Sequence, residues 1–305
     1  MTDFALGLAA LGRPAYINVG RDAALPAQRT VGAMRDNCHQ VLDAAYAGGV
    51  RRVDAARSYG LSEQFLGEWL DARGHTDVVV SSKWGYAYVA DWRCDVDVHE
   101  VKEHSLERFS SQWQESGGFL GDRIALYQVH SLTFDSPLFD DTGLLDALAH
   151  LRDRGVRLGF STSGPRQADT IRRGLDLVRG ERLFDAVQAT WNVYERSAGP
   201  ALEEVHEAGL QVLVKESLAN GLLAAQPPLE VAALAAEQAV GPDAVAVAFV
   251  AAQHWADSVL IGAADVQQLR ANLTARRVRV AADAFPELVT GPEAYWEQRG
   301  RLRWR

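Results

Sequence analysis

Cysteine is almost missing from this chain: Cys38 and Cys94 are the only two in 305 residues, and they form no Cys-x-x-Cys pair. A disulfide framework is excluded, zinc-ribbon or dithiol redox chemistry has no ligands, and a reducing compartment is expected. Positive charge is also scarce, with 31 Lys and Arg against 40 Asp and Glu and a net charge of −9. That balance argues against a general affinity for nucleic acid or anionic membrane. The basic clusters at 276–279 and 299–305 are local and read as solvated surface. No apolar run approaches the roughly 18 residues of a membrane span. The opening MTDFALGLAALG carries an acid and no basic region, unlike a secretory signal. A soluble, cytoplasmic protein is expected. Short-period repeats, low-complexity tracts and Pro- or Ser-rich linkers are absent too, so residues 1–305 read as a single domain.

What is present is an alternation of short apolar runs and longer amphipathic stretches. Candidate strands lie at 5–9, 50–55, 78–82, 124–129, 156–161, 186–189, 211–214 and 258–261. Helical patterns include 62–72, 98–114, 143–154, 166–179, 199–207 and 243–254, while 110–122 also reads as an extended loop. Several of the strands are apolar throughout, as parallel strands covered on both faces are. Eight strand–helix units in about 300 residues give a (β/α)₈ TIM barrel, an eight-stranded closed parallel sheet. The rival open dinucleotide-binding sheet would carry Gly-x-Gly-x-x-Gly after its first strand, and GLAALGRP does not.

Chemistry in such a barrel sits at the C-terminal ends of the strands. Asp54 and Tyr59 follow the second strand, Lys83 the third and His130 the fourth, while Ser161 ends the fifth and Gln188 and Asn192 the sixth. A phenol is too weak an acid to exchange protons readily at neutral pH. A nearby ammonium, held by a carboxylate, favours the phenolate, and an imidazole hydrogen-bonds a reacting oxygen. The set suits protonation of an oxygen that is becoming an alkoxide. Two decoys are set aside. In HEVKEH the histidines His99 and His104 are five residues apart, about 500° around a helix, so they do not share a face and a solvated helix is expected. GFSTSG lacks the second glycine of a nucleophile elbow.

The segment VDAARSYGLSEQFLGEWL, followed in order by SSKWG, LYQVH, VQATWNVYER, LANGLL and LIGAADVQQLRANL, resembles the aldo-keto reductase family along nearly the full chain. The resemblance implies NAD(P)-dependent interconversion of a carbonyl (aldehyde, ketone or sugar lactol/lactone) and an alcohol. Tyr59 would be the proton donor, Lys83 and Asp54 would tune it, and His130 would orient the carbonyl. Ser161 and Gln188 would hold the nicotinamide carboxamide, and Leu218, Gly221 and Leu222 the pyrophosphate. Gly262, Gln268 and Asn272 would hold the adenosine end. The aromatic residues Trp84, Tyr86 and Trp191 are expected on a sugar- or ring-stacking pocket wall.

The chain departs from the family pattern at three places. Thr162 follows Ser161 where Asn is usual. Lys215 stands where a Tyr often stacks on the nicotinamide, with Glu216 beside it and Trp191 as a substitute stacker. After the eighth strand Gly262-Ala263-Ala264-Asp265 replaces a basic Gly-x-Arg-Ser or Gly-x-Lys-Ser. Family membership implies NADP, whereas an aspartate there suits the 2′-hydroxyl of NAD, so the two stand nearly level, with Arg270 as the base that would tip the balance. Two other functions fit the barrel: a cofactor-binding regulatory subunit with slow or vestigial turnover, using 110–122 as partner surface, and a cofactor-independent lyase or isomerase.

Overall fold

A computed structural model describes residues 2–20 and 24–304. The eight apolar runs form β1 (Asp3–Gly7), β2 (Arg52–Asp54), β3 (Val79–Trp84), β4 (Ile124–Leu132), β5 (Arg157–Thr162), β6 (Ala186–Thr190), β7 (Gln211–Lys215) and β8 (Ser258–Gly262). Neighbours in sequence pair in parallel, and β8 closes on β1. Every residue of β6 is buried, because the barrel interior covers one face and the helical ring the other. The ring comprises α1 (Val31–Ala47), α2 (Ser62–Arg73), α3 (Leu106–Leu120), α4 (Thr142–Asp153), α5 (Gln167–Leu175), α6 (Gly199–Glu207), α7 (Leu222–Ala225), α8 (Leu229–Glu237), α9 (Pro242–Ala251) and α10 (Val266–Leu273), with α11 (Pro292–Gly300) after the last unit. Among the described residues no single helix is long and apolar enough to cross a membrane.

Four local expectations are corrected. Residues 110–122 are mostly helix, not loop: the Ser105 hydroxyl accepts from the Arg108 amide at the N-terminus of α3, and Phe109, Gln112, Ser116 and Leu120 form its buried face. The serines and glycines that read as loop face solvent or α2, so this segment is not an extended loop. The pattern at 98–114 begins instead with a strand, Glu100–Lys102, antiparallel to Tyr86–Tyr88. His99 and His104 flank that strand and are buried, so the solvated-helix reading fails there as well. The pattern at 166–179 stops at Leu175, and Val178–Arg179 pairs with Glu181–Arg182 through Gly180, whose φ of 75° is a left-handed turn.

The register sets the site. Asp54 at the end of β2 is level with Gly7 on β1 and Ser81 on β3, and Lys83 is level with Gln128 on β4. Past Asp54 the chain turns through Ala56 to Tyr59 and then enters Gly60 at φ 61°, where an added Cβ would lie 2.5 Å from the Gly12 carbonyl oxygen. The loop after β1 is therefore pressed against the Tyr-Gly step, and Tyr59 is fixed over the barrel mouth.

Candidate active site

Lys83 is the deepest member of the site. Its ammonium donates to an Asp54 carboxylate oxygen and, at 3.0 Å, to the Ala55 carbonyl. The other Asp54 oxygen accepts from Ser81 Oγ at 2.7 Å, Gln128 Nε2 at 3.2 Å and Gln188 Nε2 at 3.3 Å. Four strands thus meet on one carboxylate, and a buried charge pair of this kind persists only with such added hydrogen bonds. Lys83 Nζ lies 4.9 Å from the centre of the Tyr59 ring, and the Arg13 guanidinium lies 5.1 Å from it. The His130 ring meets Tyr59 edge-on, centroids 5.4 Å apart, and Tyr86 lies 4.9 Å from His130 on its other side.

The protonation states follow from this packing. Burial, and then the charge of Asp54, push the Tyr59 phenol well above its usual range, with Arg13 opposing. Lys83 was expected to favour the phenolate. Burial and the Asp54 charge outweigh that effect, so the proton stays on the phenol. Burial, with Lys83, Lys215 and Arg13 adding, pushes the His130 imidazole well below its usual value, so it is neutral. Ser58 Oγ lies 3.3 Å from His130 Nδ1. With the hydroxyl donating there, Nε2 carries the N–H. Behind it, His104 Nε2 donates to the His130 carbonyl at 2.9 Å, and Nδ1 pairs with Ser136 Oγ at 2.8 Å.

Tyr59, His130, Tyr86, Asp54 and Gln188 open onto a cavity of about 390 Å³ that continues past Lys215, Leu218 and Gly221 to Gly262. Among the remaining predicted residues, Lys83 lies beneath it, sealed off by Asp54. Ser161 Oγ accepts from the Ser131 amide at 2.8 Å, where β4 is irregular and Ser131 takes a φ of 53°, and so it props the bulge next to His130. Leu222 begins α7, beside the cavity wall. Trp84 and Trp191 are not on that wall. Trp84 packs on Phe109 with centroids 5.1 Å apart, and Trp191 stacks on Phe249 at 5.2 Å; both are core residues, because their strand-end positions point outward under the helices. Trp191 is thus no substitute stacker, whereas Lys215 pairs with its neighbour Glu216 at 3.7 Å.

A nicotinamide cofactor can be tested against these residues. Gly7 and Gly262, paired across β1 and β8, give that end of the cavity a floor without side chains. Beside them Asn220 Oδ1 is buried and has no partner among the described residues. These features fit a polar ligand lying across the mouth. Elsewhere the chain's own contacts take the predicted positions. An added Cβ on Gly221 would lie 2.3 Å from Asn18 Oδ1 and the Val19 carbonyl, so the backbone approaching closely there is 18–19. Gln268 Oε1 accepts from the Ala264 amide at 2.9 Å, and Asn272 Nδ2 donates to the Gly262 carbonyl at 3.1 Å, so both shape the loop itself. Asp265 caps α10 by accepting from the Gln268 amide at 2.7 Å.

Sequence reasoning missed the outer wall. Arg13 is buried, donates to Glu100 at 2.6 Å and to the Ser58 carbonyl at 2.9 Å, and stands against the Tyr16 and Trp304 rings at 4.8 and 4.7 Å. Arg299, expected on solvated surface, instead grips Glu216 at 2.5–3.0 Å. It brings Gly300, Leu302 and Trp304 onto the cavity wall, while Arg305 lies outside the described residues. No local pattern marks these residues: Arg13 and Glu100 are 87 positions apart, Glu216 and Arg299 83.

The model of the Aldo/keto reductase family matches residues 30–290. The chain is 24% identical over 302 residues to the aldo-keto reductase ausK of Emericella nidulans, covering 83% of this chain and 72% of that protein. It is also 24% identical over 281 residues to the uncharacterized oxidoreductase YqkF of Bacillus subtilis, covering 82% and 85%. Among solved structures it resembles aldo-keto reductase AKR11C1 of Bacillus halodurans in a holo form (TM-score 0.66, 20% identity, 97% of this chain and 91% of that one). An aldo-keto reductase described as putative, from Pseudomonas aeruginosa, gives a TM-score of 0.64 at 23% identity over 89% and 88%. With a family match over most of its length and the fold to go with it, this chain belongs to the aldo-keto reductase family.

Proposed function

We propose that the chain interconverts a carbonyl compound and an alcohol, with Tyr59 as the proton donor and acceptor and NADP as the hydride partner. The observation that carries this reading is the meeting of a protonated Tyr59 and a neutral His130 at the mouth of one cavity, above the Lys83–Asp54 pair. When bound, the cofactor supplies hydride to the carbonyl carbon. The His130 N–H holds the carbonyl oxygen, and Tyr59 gives its proton as that oxygen becomes an alkoxide. Lys83 and Arg13, each about 5 Å from the ring centre, then stabilise the phenolate that remains.

The aromatic wall of Tyr16, Tyr86 and Trp304 around the Arg13–Glu100 pair suits a sugar aldehyde, a lactol or a cyclic ketone. NADP is preferred to NAD because Asp265 is engaged as a helix cap, which weakens the case against a 2′-phosphate, and Arg270 is exposed in the last turn of α10. Titration with NADPH and NADH, followed by quenching of tryptophan fluorescence, is expected to give saturable binding of both, tighter for NADPH. Binding of neither would remove the hydride source and the reading with it.

A further inference from the structure

Among the described residues, the charges around the cavity do not cancel. Lys83 is hydrogen-bonded to Asp54, and Arg13 to Glu100. At the end of β7, however, two cations share one carboxylate. Arg299 engages both Glu216 oxygens at 2.5–3.0 Å, and Lys215 Nζ reaches Glu216 only at 3.7 Å. Its close partner is the neutral Thr190 hydroxyl, at 2.8 Å. The surplus positive charge therefore rests on Lys215, which is mostly buried and lines the same cavity as Tyr59 and His130.

This surplus matters because the hydride partner changes charge. The nicotinamide ring is neutral when reduced and positive when oxidised. A ring that hands hydride to a carbonyl held by Tyr59 must lie in this cavity of about 390 Å³, within range of Lys215. We propose that the Lys215 ammonium makes the site discriminate against oxidised nicotinamide and in favour of the reduced form, which speeds departure of the oxidised cofactor after each turnover. This inference rests on the cofactor-dependent function proposed above. At a separation of several ångströms in a partly buried site, the repulsion corresponds to about a tenfold to hundredfold change in relative affinity.

The effect is pH-dependent. Burial pushes Lys215 down to about 8, against the pull of Glu216 and with the push of Arg299 from α11 and Lys83 from β3. Of its charged and titratable neighbours, Glu216 is pushed up by burial but held at about 2 by Arg299 and Lys215. His130 on β4 is pushed down and Tyr59 after β2 is pushed up, so neither changes charge near pH 8. Below about pH 8 Lys215 is charged and the discrimination is present; as pH rises through 8 it is lost.

The test is equilibrium binding, by fluorescence quenching, of NADP⁺ and NADPH to the whole protein at about pH 6.5 and pH 9.5. In the native protein the ratio of Kd for NADP⁺ to Kd for NADPH is expected to fall by about tenfold or more between the two pH values. In Lys215→Met the ratio is expected to be low at both, and in Lys215→Arg high at both. A purely structural role for Lys215 would shift both affinities together and leave the ratio alone. An unchanged ratio in Lys215→Met, or no pH dependence in the native protein, would overturn the proposal while leaving the cofactor reading intact. Failure of either cofactor form to bind would overturn both.

Discussion

Tyr59→Phe is expected to lower kcat by about a hundredfold to ten-thousandfold, the usual worth of a positioned proton donor, while Kd for the cofactor changes little. The variant keeps the ring, and with it the contacts to Lys83, Arg13 and His130. It removes only the hydroxyl, whose proton burial and Asp54 keep in place. The folded state should be as stable as before, so a loss of rate reports on the proton and not on packing. Steady-state turnover and cofactor titration on the same preparation separate the two. A variant turning over at more than half the native rate would remove Tyr59 from the reaction.

Asp54→Ala is expected to be the most destabilising single change in the site, at about 3–5 kcal/mol. The substitution leaves the Lys83 ammonium buried with the Ala55 carbonyl as its remaining hydrogen-bond partner, and it removes the closer acceptor of Ser81 and Gln188 and an acceptor of Gln128. The cost comes from the stranded charge more than from the lost attraction. The double variant Asp54→Leu with Lys83→Met should therefore be markedly more stable than Asp54→Ala. Denaturant midpoints of the native protein and both variants check this. A loss below about 1 kcal/mol in Asp54→Ala would mean that water or a neighbouring acceptor satisfies Lys83.

What could be read in the sequence and what could not divide on one physical ground. Strands covered on both faces must be apolar along their length, so runs such as 186–189 and 211–214 stood out, and so did the polar residues Asp54 and Lys83 where the runs end. The catalytic candidates were legible because each lies at or just beyond the C-terminal end of its own strand. Helices were less legible. The 17 residues of α1 were not singled out, although Met34, Cys38, Val41, Leu42 and Ala45 recur at helical spacing with Asp36 and Asp43 on the opposite face. In α3 the Ser and Gly content masked an amphipathic helix. The outer wall was invisible, because Arg13, Glu100, Glu216, Arg299 and Trp304 gain meaning only from contacts made after the barrel has closed. The aromatic residues misled for a related reason. Trp84 and Trp191 stand beside predicted site residues in sequence, but neighbours along a strand point to opposite faces.

In the proposed reaction, hydride passes from a reduced nicotinamide to a carbonyl carbon in the cavity beneath Tyr59. The most direct measurement is a single turnover of protein loaded with NADPH that carries deuterium at the transferable position, mixed with a panel of sugar aldehydes and cyclic ketones. For at least one of them, reduced-cofactor absorbance is expected to be lost more slowly than with unlabelled NADPH. The product is expected to be an alcohol with deuterium on its carbinol carbon. A bound cofactor that is never consumed, or a product without deuterium, would contradict that reaction.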